Sequence, residues 1–423
     1  MTEDTASGRP VRPGGTAPHC VGSSEAGLVL LTLAVGLGLL TASWGALHLP
    51  PFEGFQIIDT PLYQEKGEAM AAGQVPYRDF ELEYPPGALP VFWLPTLGPA
   101  EHYGSIFEAL MWICAAAALA LVVLSAAMLG ASPQGLLVVA AGVALFPLAL
   151  GTVVLTRYDL WPAALTAAAL AAVLAGRERL GLAVLGIAVA AKIYPLVLLP
   201  PLLVYVARRR GKREAAIGFG AFGAALAVIV LPFALVAPEG LVDSLDRQLG
   251  RPLQVESLGS SLLLAAHQLG LYDPTVVTTH GSQNLSGSLP DALASVQSVV
   301  QVAALVVVWA LFARGPATPT RLVAACAASV VVFVAFGKVL SPQFLIWLVP
   351  VAALVAGRAG LASAALLGAA LVTTQLWFPT RYWDMVALEW EGWLVLVRNV
   401  LLVLLAVVLG VATARARGPT RSA

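Results

Sequence analysis

The sequence predicts an all-α, polytopic membrane protein with about twelve transmembrane helices, and three observations lead there. Of its 423 residues, 59% are hydrophobic and only 11% charged, with a mean hydropathy of +0.84; ordinary soluble domains carry about 25% charged residues. Apolar stretches long enough to cross about 30 Å of hydrocarbon recur along the chain. Basic residues gather in alternate connections between those stretches, as they do in proteins threaded through a bilayer.

Residues 1–25 are polar and rich in Gly, Pro, Ser and Thr, which reads as a disordered cytoplasmic tail. The apolar segment that follows, Ala26 to Leu47, is longer than the hydrophobic region of a signal peptide and is expected to stay as an anchor. The membrane domain covers 26–413, with spans at 26–48, 104–129, 135–154, 159–175, 180–191, 195–207, 215–236, 291–313, 321–337, 343–357, 360–377 and 393–413. The fifth and sixth are short and make sense as a hairpin whose tip is Lys192-Ile193-Tyr194-Pro195. Residues 86–98 (PGALPVFWLPTLG) are apolar but short and broken by prolines, so they are expected to lie at the interface. Residues 258–270 are a second such candidate, and 414–423 form a short cytoplasmic tail. Cys20 is in the first tail, while Cys114 and Cys326 fall in spans, a distribution that does not suit a disulfide framework.

An even number of spans puts both termini on one side. With that side cytoplasmic, 15 of the 24 basic residues are inside, led by Arg208-Arg209-Arg210-Gly211-Lys212-Arg213, and only 5 of the 24 acids are. The expected location is therefore the cell membrane, multi-pass, with both ends in the cytoplasm.

The chemistry is then expected on the outer side. Two of the four lysines, Lys192 and Lys338, interrupt hydrophobic stretches, each shortly before a proline. A cation there costs roughly 2.5–3.5 kcal/mol on insertion scales, so it faces a cavity or an anion unless it snorkels to the interface. The first outer loop, 49–103, carries Asp59, Glu65, Glu68, Asp79, Glu81 and Glu83 with Tyr63, Tyr77 and Tyr84; the second, about 237–290, carries Asp243, Arg247, Arg251, Gln254 and Glu256. Smaller outer turns hold Arg157-Tyr158-Asp159, Lys338 to Gln343, and Arg381-Tyr382-Trp383-Asp384. Carboxylates supply a base, aromatics stack on sugar faces and cations bind phosphate oxygens, so this mixture suits a sugar attached to a phosphate.

These loops resemble a known family. Asp59 with Leu62-Tyr63, then Val75-Pro76-Tyr77-Arg78-Asp79-Phe80 and Glu83-Tyr84-Pro85-Pro86, look like the first outer loop of family 87 glycosyltransferases. Arg157-Tyr158-Asp159, Lys192-Ile193-Tyr194-Pro195 and Ser341-Pro342-Gln343-Phe344 with Trp347 are similar to that family too. Its members are polyprenol-phosphate-mannose-dependent membrane mannosyltransferases of the glycosyltransferase C superfamily, and some relatives transfer other sugars, such as arabinofuranose. The resemblance implies a first-loop carboxylate as catalytic base, which here falls on Asp59, with Glu83 and Asp79 as fallbacks. The substrate-binding candidates are Tyr63, Tyr77, Arg78, Tyr84, Arg157, Asp159, Lys192, Tyr194, Arg251, Lys338, Gln343 and Arg381. The expected partners are a polyprenyl-phosphate sugar donor, a lipid or glycan acceptor and membrane lipids.

Blander readings stand beside these. Asp59-Thr60-Pro61 also fits a helix cap followed by proline. Glu81 and Glu83 could be solvated loop acids, Arg157 with Asp159 a structural pair, and Arg381 with Asp384 a local one. His267 and His280 lack metal-ligand spacing, so no metal site is assigned. GxxxxGK[ST], a GxGxxG following a strand and CxxC are all missing, so the sequence supports no nucleotide-sugar or ATP site and no cofactor; nothing in it points to nucleic acid. Two function classes remain: a membrane glycosyltransferase acting on the outer face, and a transporter or flippase of a lipid-linked anionic sugar. A transporter expects midplane polar groups and often two similar halves. The concentration of polar groups on one side, beside an acidic loop, favours the enzyme.

Overall fold

The computed structural model describes residues 23–52 and 57–415. The expectations for most of the first tail, Cys20 and 416–423 lie outside that set. The first helix, α1 (Ser23–Ala46), begins three residues before the predicted start of the first span. After it the first outer loop is largely helical. Here α2 (Thr60–Ala71) is followed by a 3-10 turn at Pro86–Ala88, the one-turn α3 (Leu89–Trp93) and a second 3-10 turn at Leu94–Leu97. Prolines at 86, 90 and 95 remove N–H donors and keep this stretch from becoming one straight helix. It is therefore short and broken, as expected.

The bundle continues with α4 (Tyr103–Met128), α5 (Pro133–Leu150), the single turn α6 (Val153–Thr156), α7 (Leu160–Leu174), α8 (Glu178–Ala191), α9 (Leu199–Arg210) and α10 (Lys212–Val236). Local chemistry explains several boundaries. The Ser132 hydroxyl accepts from the Gly135 N–H with Pro133 in the first turn, a cap followed by proline. Gly211 takes φ 100°, a conformation that few other residues adopt, and separates α9 from α10.

The second outer segment contains α11 (Pro238–Leu249), β1 (Leu253–Gln254), α12 (Leu258–Gln268), β2 (Thr275–Thr279) and β3 (Ser282–Ser286). The strands form a small antiparallel sheet in the order β1-β3-β2. Thr279 pairs with Ser282 across a two-residue loop in which His280 (φ 52°) and Gly281 (φ 64°) are both left-handed. Such a turn matches the twist of a tight hairpin. The chain closes with α13 (Ser288–Arg314), α14 (Pro319–Ala335), α15 (Val349–Ala352), α16 (Gly357–Gln375), α17 (Tyr382–Val386) and α18 (Gly392–Arg415).

Among the described residues, seven helices are long and apolar enough to cross a membrane: α1, α4, α5, α10, α13, α16 and α18. The other five predicted spans are the shorter α7, α8, α9 and α14 and a broken segment. That segment corrects the expected span at 343–357. It is a 3-10 stretch, Pro342–Trp347, followed by α15, with Pro350 in the first turn of α15 removing a donor between the two, and it ends at Ala352. The sheet and α11 were not expected as elements, while α2 is the helix that the cap reading of Asp59-Thr60-Pro61 offered.

Small residues let the backbones approach. A Cβ at Gly186 of α8 would run into the Phe222 carbonyl of α10, so these helices cross in contact. A Cβ at Gly87 would strike the Ala190–Ala191 backbone, and the Trp161 indole N–H donates to the Gly87 carbonyl at 3.0 Å. The first outer loop is thus pressed onto the end of α8, beside Lys192.

The predicted inside charges meet at one end of the bundle. Arg179 binds Glu214, Arg210 binds Glu178, and Arg208 donates to the Ala313 and Gly315 carbonyls. Arg321 donates to the Thr413 carbonyl at 2.9 Å, near the end of α18. Arg398, near the other end of α18, touches the second outer segment instead. Fifteen helical residues separate Thr413 from Arg398, roughly 22 Å at 1.5 Å per residue, so the two polar regions lie at opposite ends.

Candidate active site

The α8–α9 connection supplies the first component. Helix α8 stops at Ala191, Lys192 is extended (φ −162°, ψ 143°), and Pro195 opens a 3-10 turn at Tyr194–Leu198. The break turns the Lys192 side chain toward the start of α7. Its Nζ donates to Asp159 Oδ1 at 2.6 Å, and the Trp347 indole N–H donates to the same oxygen at 2.7 Å. Asp159 is only 1% exposed. The ammonium also sits 4.4 Å from the Tyr158 ring, 5.0 Å from Trp347 and 5.5 Å from Phe344. Tyr194 stacks on Trp347 at 4.2 Å and hydrogen-bonds Thr166 at 2.9 Å. A half-buried lysine is thus held by one buried carboxylate and an aromatic box, which offsets its desolvation.

The second component is Asp59. It precedes α2, with Pro61 in that helix's first turn, but its carboxylate makes no capping bond. Instead it pairs with Arg157 and receives the Tyr63 hydroxyl at 3.4 Å. Arg157 also donates to the Ile57 carbonyl at 3.2 Å. The helix of the cap reading therefore exists, yet the side chain is used elsewhere. Tyr63 stacks on Phe92 at 4.5 Å and meets Tyr84 and Tyr158 edge-on at 5.6 and 5.8 Å. Because Arg157, Tyr158 and Asp159 are consecutive, this aromatic cluster joins the Asp59 pair to the Lys192 pair.

A third component was not singled out from sequence. Glu256 follows β1 and is 2% exposed, and Arg398 and Asn399 of α18 both donate to its main-chain carbonyl, at 2.8 and 3.2 Å. Burial pushes the Glu256 carboxyl up to about 8, against the opposing pull of Arg398, Arg157 and Arg251. Several buried polar atoms here have no partner among the described residues: Nε of Arg157 and of Arg251, Nε and Nη1 of Arg398, and Oε2 of Glu256. Unsatisfied guanidinium N–H groups are costly and form ready contacts for an anion's oxygens. Arg398 had a signal, since it is a charge inside the last apolar span.

The remaining candidates spread around this core. Tyr84 and Glu83 face it; burial, and after it Glu83, lift the Tyr84 hydroxyl well above its ordinary value. Arg251 binds the Ser282 hydroxyl at 3.0 Å. Gln254 links to Ser341 at 2.9 Å and accepts from the Leu340 N–H. Gln343 is half-buried at the start of its 3-10 stretch. Five of the candidates are not brought into the core: Tyr77, Arg78, Asp79, Lys338 and Arg381. The Tyr77 hydroxyl donates to the Tyr84 carbonyl and its ring packs on Phe233. Asp79 closes a turn on Arg78 and the Val75 N–H, and these bonds hold its carboxyl down at about 2. Lys338 donates to the Leu249 carbonyl at 2.9 Å. Arg381 is exposed over Trp390, while its neighbour Tyr382 is buried and lies close enough to Arg157 and Glu256 to feel their charge. The second loop also reaches the first through Arg247 and Glu81, at 2.5 Å.

Among solved structures, ArnT from Cupriavidus metallidurans bound to undecaprenyl phosphate is similar, at 14% identity and a TM-score of 0.46, over 92% of this chain and 78% of that one. No curated protein matches the chain in sequence. The family model of glycosyltransferase family 87 matches residues 82–342, which take in the Glu83–Pro86 and Arg157–Asp159 motifs, the Lys192 turn and Glu256. With more than half of its length matched, the chain belongs to glycosyltransferase family 87 and is a polytopic membrane glycosyltransferase.

Proposed function

We propose that the protein transfers mannose from a polyprenyl-phosphate donor to a lipid or glycan acceptor on the extracytoplasmic face, with inversion and with Asp59 as general base. The observation that carries this reading is the meeting of Asp59, Arg157, Asp159 and Lys192 around one aromatic cluster. In the transfer, the acceptor hydroxyl oxygen bonds the sugar's anomeric carbon. The bond from that carbon to the phosphate oxygen breaks, its electron pair leaves with the polyprenyl phosphate, and Asp59 takes the hydroxyl proton. A phosphate leaves as a stable anion, so no protonating acid is needed, in contrast to glycoside hydrolysis, where an alkoxide leaves.

Arg157 gives the site a resting state. Its guanidinium neutralises Asp59 in the structure, and a base so paired is a weak one. The donor phosphate competes for the same guanidinium and for the unpartnered N–H groups beside it. Donor binding thereby releases Asp59 for the acceptor.

Purified full-length protein with radiolabelled polyprenyl-phosphate mannose and a mixture of lipid acceptors tests the reading. Labelled glycolipid supports it; no product with this donor, but product with polyprenyl-phosphate arabinofuranose, reassigns the sugar. Orientation is tested separately with Arg210→Cys. The proposal expects no labelling of intact cells by an impermeant thiol reagent, and labelling from outside inverts the topology.

A further inference from the structure

A cleft of about 370 Å³ opens beside Asp59 and takes no part in the proposed transfer chemistry. Its lining includes His48, Ile58, Thr60, Gln64, Glu108 and Thr156, so it is bounded by both chain neighbours of Asp59 and by the residue before Arg157. Glu108 is a carboxylate in the second turn of α4, inside an otherwise apolar span. Such a charge is expensive unless it has a role. One of its oxygens, Oε1, accepts from the Trp44 indole at 2.8 Å and contacts His48 Nε2 at 2.7 Å. The other oxygen has no hydrogen bond among the described residues. His48 and Glu108 keep 51% and 25% of their side-chain surface exposed, so the pair is open to a ligand and not sealed in the core.

We propose that this cleft is the subsite for the neutral, polyhydroxylated head group of a lipid-borne acceptor; the assignment rests on the reading of Asp59 as the transfer base. With His48 Nε2 donating to Glu108, its Nδ1 is an acceptor and Glu108 Oε2 is a second one, an arrangement that takes hydroxyl donors. The negative carboxylate disfavours a phosphate here, so an anionic donor and a neutral acceptor are sorted into adjacent places by charge. Membrane delivery follows from position. His48 lies two residues beyond the end of α1, and Glu108 lies just inside α4, so the cleft sits where two spanning helices leave the apolar layer. Apolar Ile58 and the neighbouring Leu49 are 46% and 60% exposed there. An alkyl tail can remain in lipid while its head group turns toward Asp59.

The test uses full-length protein in nanodiscs and dodecyl mannoside carrying a photoreactive diazirine on the sugar, with the methyl mannoside equivalent as the water-borne control. Crosslinks mapped by mass spectrometry are expected within residues 44–52, 57–61 and 104–108. His48→Ala and Glu108→Gln should each reduce them about tenfold, as loss of a hydrogen bond with a charged group does. Thr60→Val, a milder change, serves if either variant fails to elute as folded protein. The dodecyl probe should label at least about tenfold better than the methyl one, because its chain partitions into the bilayer. Labelling elsewhere, or labelling insensitive to these substitutions, overturns the subsite; equal labelling by the methyl probe overturns the lipid-borne acceptor. Labelling that is sensitive to the substitutions but without mannosyl product leaves the subsite standing and removes only the mannosyl-transfer reading.

Discussion

The two ends of the bundle hold the same kinds of charged residue and treat them in opposite ways. At the Arg208–Arg213 end, charges find complete partners or stay in water. Arg321, 1% exposed, donates to the carbonyls of Leu311, Phe312, Pro316 and Thr413. It ties the end of α13 to α18, as cations near helix C-termini do. At the Asp59 end, Arg398 is just as buried but makes one bond, to the Glu256 carbonyl, and keeps two nitrogens without partners. A folded chain tolerates that deficit where a ligand supplies the missing acceptors. Satisfaction, more than burial, therefore separates a structural arginine from one held for chemistry.

The comparison breaks most sharply at Asp59. Asp59→Asn keeps the shape and removes the basic oxygen, and transfer should fall about 10²–10⁴-fold, the usual worth of a general base. Expression and donor binding should hold. Turnover near that of the unmodified enzyme would move the role to Glu83, which also faces the aromatic cluster, before Asp79, whose carboxylate is occupied by Arg78.

The Lys192–Asp159 pair comes next. Lys192→Met strands a buried carboxylate, which costs about 3–5 kcal/mol when a buried ion pair is broken. The double variant Lys192→Met/Asp159→Asn removes both charges and should recover most of the melting temperature. Donor KM should stay raised in the double variant, because the cation is still absent. Recovery of donor KM along with stability would make the pair structural.

Arg321 and Arg398 can then be compared directly by substitution with Met. Arg321→Met leaves several buried carbonyls without donors, at about 1–3 kcal/mol each. It should lower the melting temperature more than Arg398→Met does. Transfer per folded molecule should change little for Arg321→Met and drop for Arg398→Met. The reverse ranking would contradict the view that unpartnered N–H groups mark function.

The smallest effect is on pH. The Glu256 carboxyl is raised from about 4.5 to about 8 in the fold, mainly by burial. The native state therefore holds a proton that the unfolded chain releases, and stability is lost as pH rises between those values. Glu256→Gln mimics the protonated form. It should flatten that decline, and melting curves at pH 6 and pH 9 would show it; an unchanged slope means that Glu256 is already ionised in the native state.

Composition and apolar periodicity were enough to place most of the membrane helices, because a bilayer forces every spanning segment to be long, apolar and internally hydrogen-bonded. The proline-broken 86–98 segment was readable for the same reason, from its missing donors. The α15 region was over-read, since hydropathy reports apolar character but not the donor that Pro350 removes. Motif resemblance located Asp59, Arg157, Asp159, Lys192 and Tyr63, which the structure gathers in one place. The motifs also took in Tyr77, Arg78 and Asp79, and the outer turns added Lys338 and Arg381, none of which joins that place, because a residue's type and loop do not say which way its side chain turns. Glu256, His48 and Glu108 carry weak local signals, or none. Their surroundings come from elements far apart in the chain: Glu256 meets α18 across 142 residues, and Glu108 meets His48 across 60. What the sequence determined by itself was the solvent of each segment. Which charges are left unsatisfied depends on packing between those segments, and only the tertiary structure decided it.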